Sequence, residues 1–129
     1  MGLMLYALRR GDKPGERKIE ISFGDKRLAR DCQTERDARR RFGKNGDRVR
    51  ARIAELRAAD VLSDLWNAPG KLHGLTGDRS GQYAMHLLEP YRIVFTSDDD
   101  PIPRDADGAI EASLVKSVRI LEVTDYHGR

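Results

Sequence analysis

Lys71–Phe95 reads KLHGLTGDRSGQYAMHLLEPYRIVF, and its alternation decides the fold. From Gln82 to Leu88, Tyr83, Met85 and Leu87 point one way while Gln82, Ala84 and His86 point the other, as in a half-buried strand. Glu89-Pro90 turns the chain, and Tyr91–Thr96 returns as a strand with Tyr91, Ile93 and Phe95 on one face. Arg92 therefore falls on the other face, beside Val94. A basic side chain in mid-strand requires solvent or an anionic partner, because an unpaired buried charge is costly. Leu72–Leu75 reads as a short strand ahead of this pair, with Thr76–Gly81 as a polar, Gly-containing loop.

Upstream, Lys18–Phe23 alternates with Ile19, Ile21 and Phe23 on one face, predicting a first strand. Gly24 breaks it, and Asp25 suits the N-cap of a helix from about Lys26 to Phe42, whose apolar stripe is Leu28, Cys32, Ala38 and Phe42. Gly43-Lys44-Asn45-Gly46 ends that helix. Asp47 then caps a second helix, in which Val49, Ile53, Leu56, Leu62, Leu65 and Trp66 recur at threes and fours until Asn67-Ala68-Pro69-Gly70. Downstream, Ser97–Ser113 is an acidic connector, expected to be too polar to pack and to form a mobile loop. Leu114–Thr124 is the last strand, and its imperfect alternation predicts a bulge or burial on both faces. The order predicts an α+β fold, an N-terminal strand and helical hairpin packed on one face of an antiparallel sheet. The expected organisation is an extension over residues 1–18 and one domain over 19–129, with the acidic loop at 97–113.

The chain has 129 residues, enough for one modest core, and a formal charge of only +3. The charge is unevenly spread. Asp25–Arg57 holds twelve basic residues against six acids, whereas Asp98–Glu111 holds six acids against Arg104 alone. A basic half fits a polyanion such as nucleic acid, and equally a salt-bridged helix surface. The single cysteine, Cys32, excludes an internal disulfide framework and a four-thiolate zinc site. Its place on the helical stripe suits packing. No apolar run approaches the length of a membrane span. The apolar Gly2–Leu8 precedes Arg9-Arg10 instead of following positive charge, the wrong order for a signal peptide, so a cytoplasmic protein is expected.

Taken together, Leu72-His73-Gly74-Leu75, Gly77-Asp78-Arg79, Arg92-Ile93-Val94-Phe95 and a closing Asp125-Tyr126-His127 resemble the HigB-type toxins of bacterial type II toxin–antitoxin systems, within the RelE/ParE group. The likeness spans Ile19 to His127 and includes the helical hairpin. It implies a RelE-like α+β domain that enters the ribosomal A site, cleaves mRNA as an endoribonuclease and is silenced by a helix-turn-helix, HigA-like antitoxin. It also implies roles. His73 matches the first functional histidine of the pattern, Arg92 the arginine facing the scissile phosphate, and Tyr126 and His127 the C-terminal aromatic–histidine pair. Members of the group often carry lysine where this chain has Thr76, so one positive charge is missing; Arg79 lies on the same loop and is a candidate substitute.

Internal cleavage of RNA needs a base near the 2′-hydroxyl, positive charge on the phosphate and an acid for the leaving 5′-oxygen. Histidine suits either proton role and arginine the bidentate grip on phosphate. The chemistry expected is metal-independent and needs no cofactor, since no His/Asp/Glu set has ligand spacing. Arg39, Arg40 and Arg41 are candidate contacts to ribosomal RNA, or a solvated helix face. Read by position alone, His73 also fits a hydrogen-bonded structural histidine, Tyr126-His127 a frayed tail and His86 a surface residue without a catalytic part. Two other functions fit the same features. One is a catalytically weakened member that binds RNA or antitoxin only; the other is a ParE-like toxin acting on a DNA topoisomerase.

Overall fold

The computed structural model describes residues 18–125. All but the last residue of the expected extension, and the pair Tyr126-His127, lie outside that range. The chain begins with β1 (Glu20–Phe23), tied at its start by the Ile19 amide donating to the Ala59 carbonyl at 3.0 Å. Asp25 caps α1 (Lys26–Asp31), its carboxylate accepting from the Leu28 amide at 2.7 Å.

The single helix expected over Lys26–Phe42 is two helices. α1 stops at Cys32, and α2 (Glu35–Phe42) restarts after Thr34, whose hydroxyl accepts from the Asp37 amide at 3.0 Å. A threonine hydroxyl that takes up a free amide of the next turn starts a helix at the expense of continuing the previous one. A short 3-10 turn, Gly43–Asn45, leads straight into α3 (Gly46–Ala58). Asp47 therefore sits in the first turn of α3 and does not cap it. A Cβ on Gly46 would stand 2.7 Å from the Ala38 carbonyl carbon and oxygen and from the Arg39 nitrogen, so α2 and α3 meet backbone to backbone.

The second expected helix also ends early, at Ala58 instead of Trp66. Asp64 accepts from the Asp60 and Val61 amides, both at 3.2 Å, and folds Leu62–Leu65 into a separate 3-10 turn. The Leu62 amide in turn donates to the Val115 carbonyl at 3.1 Å, tying this turn to the segment before the last strand.

Among the described residues the sheet has five strands in the order β1-β5-β4-β3-β2, with β2 His73–Gly74, β3 Gln82–His86, β4 Arg92–Ser97 and β5 Ser117–Thr124. β2 to β5 pair antiparallel, as expected. β1 joins parallel to β5, Glu20 opposite Ser117 and Phe23 opposite Ile120, so the sheet is mixed. The irregular pattern of the last strand is a bulge: Val94 faces Glu122 while Phe95 faces Ile120, leaving Leu121 as the extra residue.

The helices cover the face carrying Tyr83, Met85, Ile93, Phe95, Val118 and Ile120, which pack with Leu28, Val49, Ile53 and Leu56 in one core. Tyr83 and Phe95 stack with centroids 6.0 Å apart. Each fully buried aliphatic or aromatic side chain there contributes about 1.5–3 kcal/mol.

The acidic connector departs from its expected mobility. Asp98 accepts from Ser22 Oγ at 2.9 Å and Arg119 Nη2 at 3.0 Å, and Asp99 accepts from Ser97 Oγ at 2.7 Å and the Lys116 amide at 3.1 Å. Asp105 accepts the amides of Asp107 and Ala109, at 2.8 and 3.1 Å, inside a turn closed by an Arg104–Ile110 bridge. The connector's carboxylates cap backbone amides and neighbouring side chains, which together with Ile110 and Ala112 packed on the core fastens the segment.

Candidate functional site

Sheet register decides which polar groups share the face turned away from the helices. His73 stands opposite Ala84, and His86, two residues along β3, stands opposite Arg92 on β4. Arg92 in turn faces Thr124 on β5. His73, Ala84, His86, Arg92, Val94, Glu122 and Thr124 therefore lie on one face.

Arg92 is only 4% exposed. The anionic partner demanded by its position is Glu89, in the β3–β4 turn, whose Oε1 lies 3.2 Å from Arg92 Nη2; Nη1 donates to the Tyr91 carbonyl at 2.9 Å. The other carboxylate oxygen of Glu89 lies 3.3 Å from Nδ1 of His86. One carboxylate thus spans a histidine and a guanidinium. The His73 and His86 rings meet edge to face, with centroids 5.6 Å apart.

Both rings are oriented through Nδ1. His73 Nδ1 lies 2.9 Å from the Lys71 carbonyl, which can only accept, so Nδ1 carries the proton and Nε2 is the lone-pair nitrogen of the neutral ring. Lys71 adopts a left-handed backbone (φ 54°), a strained conformation for a non-glycine residue, worth about 1 kcal/mol. The same argument places a proton on His86 Nδ1, facing Glu89. Burial and the Arg92 charge push the His86 ring below its ordinary pKa against the upward pull of Glu89. Glu89 itself is held below the usual carboxylate range, first by its hydrogen bond to Arg92.

A second arginine supports this corner from the helix side. Arg52, 8% exposed on α3, donates from Nε to the His86 carbonyl at 2.8 Å and from Nη1 to Glu55 Oε2 at 2.8 Å. The His86 amide donates to the Gly70 carbonyl at 2.7 Å. A Cβ on Gly70 would stand 2.6 Å from Met85 Cε and 3.0 Å from Arg52 Cδ and Nε, so only glycine lets the chain pass that close.

The other expected site residues lie elsewhere or are engaged. Arg79, in the 3-10 turn Gly77–Arg79, crosses that face to Gln82 Oε1 at 3.0 Å and Glu122 Oε2 at 3.0 Å. Thr76 precedes that turn and is exposed. Arg39 forks onto Asp47 with two 3.0 Å bonds, Arg40 meets Asp37 at 2.7 Å, and Arg41 meets Asp31 at 2.8 Å while lying over the Phe42 ring. All three belong to α2, which packs on the other side of the sheet from Arg92, and their pairing matches the salt-bridged reading of the basic half. Tyr126 and His127 lie outside the described residues, but β5 brings the chain beside Arg92 at Thr124.

Tyr91, read as a core strand residue, is 44% exposed. Sequence reading set aside His86 and did not single out Glu89 or Arg52. Alternation alone sets His86 on the face of Gln82 and Ala84, a signal that was present, but its pairing with Arg92 needs the three-residue loop Leu88–Pro90, since a two-residue Glu89-Pro90 turn pairs His86 with Ile93. Arg52 carries no such signal, because its burial depends on the approach of Gly70 from a distant loop.

Arranged this way, a guanidinium able to hold a phosphoryl oxygen stands beside two histidines able to move protons. Among the described residues no group of three His, Cys, Asp or Glu side chains could hold a metal ion, and no helix is long and apolar enough to cross a membrane.

No protein-family model matches the sequence, and no curated protein matches it either. Among solved structures it is similar to the YoeB-YefM complex from Staphylococcus aureus, at 18% identity and TM-score 0.48, over 85% of this chain and 98% of that chain. It is also similar to a YoeB/ParE toxin from Agrobacterium tumefaciens, at 14% identity and TM-score 0.39, over 85% of this chain and 99% of that chain. Likenesses this weak assign neither family nor function.

Proposed function

We propose that this protein is the toxin of a bacterial type II toxin–antitoxin pair, of the HigB kind within the RelE/ParE group, and that it cleaves mRNA on the ribosome. The observation that carries the reading is Arg92, buried to 4% exposure on the sheet face away from the helices, with His86 across β3, His73 against His86, and Thr124 opposite it two residues ahead of Tyr126-His127. The motif order described above supplies the substrate class. In this reading Arg92 holds the scissile phosphate, exchanging the exposed Glu89 carboxylate for a phosphoryl oxygen. His73 and His127 serve the proton transfers, and Tyr126 positions His127 or stacks on a base. The partners are the ribosome with its mRNA and a helix-turn-helix antitoxin, and the place of action is the cytoplasm.

One observation favours the binding-only reading. Arg79 is tied to Gln82 and Glu122, so it does not stand in for the lysine missing at Thr76 unless those bonds yield. Induction of the protein followed by primer extension on mRNA separates the readings. Codon-aligned cuts that vanish with Arg92→Ala and His127→Ala support the nuclease. Growth arrest with intact mRNA supports the binding-only protein, and arrest with broken DNA supports the topoisomerase-directed one.

A further inference from the structure

We propose that His86, oriented by Glu89, is the group that accepts the 2′-hydroxyl proton in cleavage. The inference rests on the nuclease reading above and moves the base's part from His73 to a residue that the sequence motifs leave without a role. Three observations carry it. The His86 ring lies between the proposed phosphate ligand and the first motif histidine, opposite Arg92 across β3–β4 and edge-on to His73. Its Nδ1 is 3.3 Å from Glu89 Oε2, which favours the tautomer with the proton on Nδ1 and the lone pair on Nε2, the arrangement by which a carboxylate prepares a histidine to act as a base. Its backbone is clamped on both sides, the carbonyl by Arg52 at 2.8 Å and the amide by Gly70 at 2.7 Å. Glu89 Oε1 also bonds Arg92; when Arg92 exchanges that oxygen for a phosphoryl oxygen, Oε2 stays on His86.

The step balances without another reactant. The 2′-oxygen bonds to phosphorus as its proton passes to His86 Nε2. The P–O5′ bond breaks, and the 5′-oxygen leaves with that electron pair and is protonated to the 5′-hydroxyl. The products are a 2′,3′-cyclic phosphate and a 5′-hydroxyl.

Among the described residues, the charged and titratable groups facing His86 are Glu89 from the turn, Arg92 from β4 and His73 from β2; Arg52 from α3 meets only its carbonyl. Burial and the Arg92 charge disfavour the protonated ring, which leaves it ready to accept. Cleavage should therefore fall as pH drops through the depressed pKa of His86, on an acid limb that this ring sets. Glu89 pulls that pKa upward, so Glu89→Gln should move the limb to lower pH while lowering the plateau.

The test is single-turnover cleavage of mRNA on programmed ribosomes across a pH series, with the purified full chain. His86→Gln keeps a donor towards Glu89 but cannot take a proton. It should lose about 10²–10⁴-fold in rate and lose the acid limb. His86→Ala should lose as much and regain part of the rate with added imidazole, which a merely structural role would not allow. Wild-type rate and an unchanged limb in His86→Gln, or no response of His86→Ala to imidazole, would overturn the inference while the nuclease reading stood. If the wild-type protein itself cut nothing on ribosomes, both would fall.

Discussion

Alanine in place of glycine within a helix ordinarily stabilises a protein, by about 0.5–1 kcal/mol, because the unfolded chain loses freedom and the helix gains propensity. At Gly46, the first residue of α3, the sign should reverse. The new Cβ would sit 2.7 Å from the Ala38 carbonyl and the Arg39 nitrogen, where ordinary contact begins at 3.4 Å. These neighbours are backbone in the middle of α2, which cannot turn aside as a side chain can. The two helices must separate, and overpacking of this kind costs about 1–3 kcal/mol. Subtracting the helix gain leaves about 0.5–2 kcal/mol of destabilisation, a fall of roughly 2–8 °C in Tm for a domain of this size. Gly74→Ala is the matched control. Its Cβ would meet only the Tyr83 ring at 3.8 Å, and its φ lies outside the left-handed region, so it should be neutral or stabilising by up to about 1 kcal/mol. Thermal denaturation of both variants decides the matter. A Gly46→Ala protein that melts at or above the wild-type temperature would refute the backbone-to-backbone contact of α2 and α3.

Arg52→Met keeps much of the side-chain volume but removes the bond to the His86 carbonyl and leaves Glu55 without its partner; it should destabilise by about 1.5–3 kcal/mol in urea denaturation. Cys32 is buried and its thiol pKa is raised to about 11 from 9.0, first by desolvation, so it should resist alkylation at pH 8 until the protein unfolds. Because the folded pKa is the higher one, the stability it contributes is complete below about pH 9 and is lost as pH rises towards 11, and Cys32→Ala should flatten that alkaline loss in pH-dependent melting. Asp105→Ala removes the acceptor for two amides of the connector turn, and trypsin should then cut after Arg104 several-fold faster, read by mass spectrometry of timed digests.

Where period and burial coincide, the strands could be read directly: Tyr83 and Met85, then Ile93 and Phe95, alternate because one face of their sheet packs on helices. The helices were harder, since Thr34 lies within a run whose apolar spacing continues through it. Only the competition of its hydroxyl for the Asp37 amide decides for a break. β1 was legible as a strand but not as a parallel one, because its direction depends on where the helices return the chain to β5. At the candidate site, Arg92 was marked by its cost in mid-strand. Its partner Glu89 was not, because a turn carboxylate looks like ordinary solvated charge until the register brings it against two basic groups. The acidic connector misled for the related reason that hydrogen bonds from carboxylates to backbone amides leave no trace in hydropathy.

The position of β5 has a consequence for how the molecule is made. It is the last described strand in the sequence, yet it stands inside the sheet, with β1 on one side and β4 on the other. Until Ser117–Thr124 has been synthesised, β1 and the helices that follow it have no strand on which to complete the sheet, and β4 presents an unpaired edge. Pairings this distant along the chain form late and slowly, because loop closure must precede the contacts that reward it. The face with Arg92 is finished only when that strand arrives, so a growing chain still short of β5 lacks the site described above. A protein acting on ribosomes in the way proposed would thus be harmless to the ribosome that is making it, up to the moment its last strand is in place.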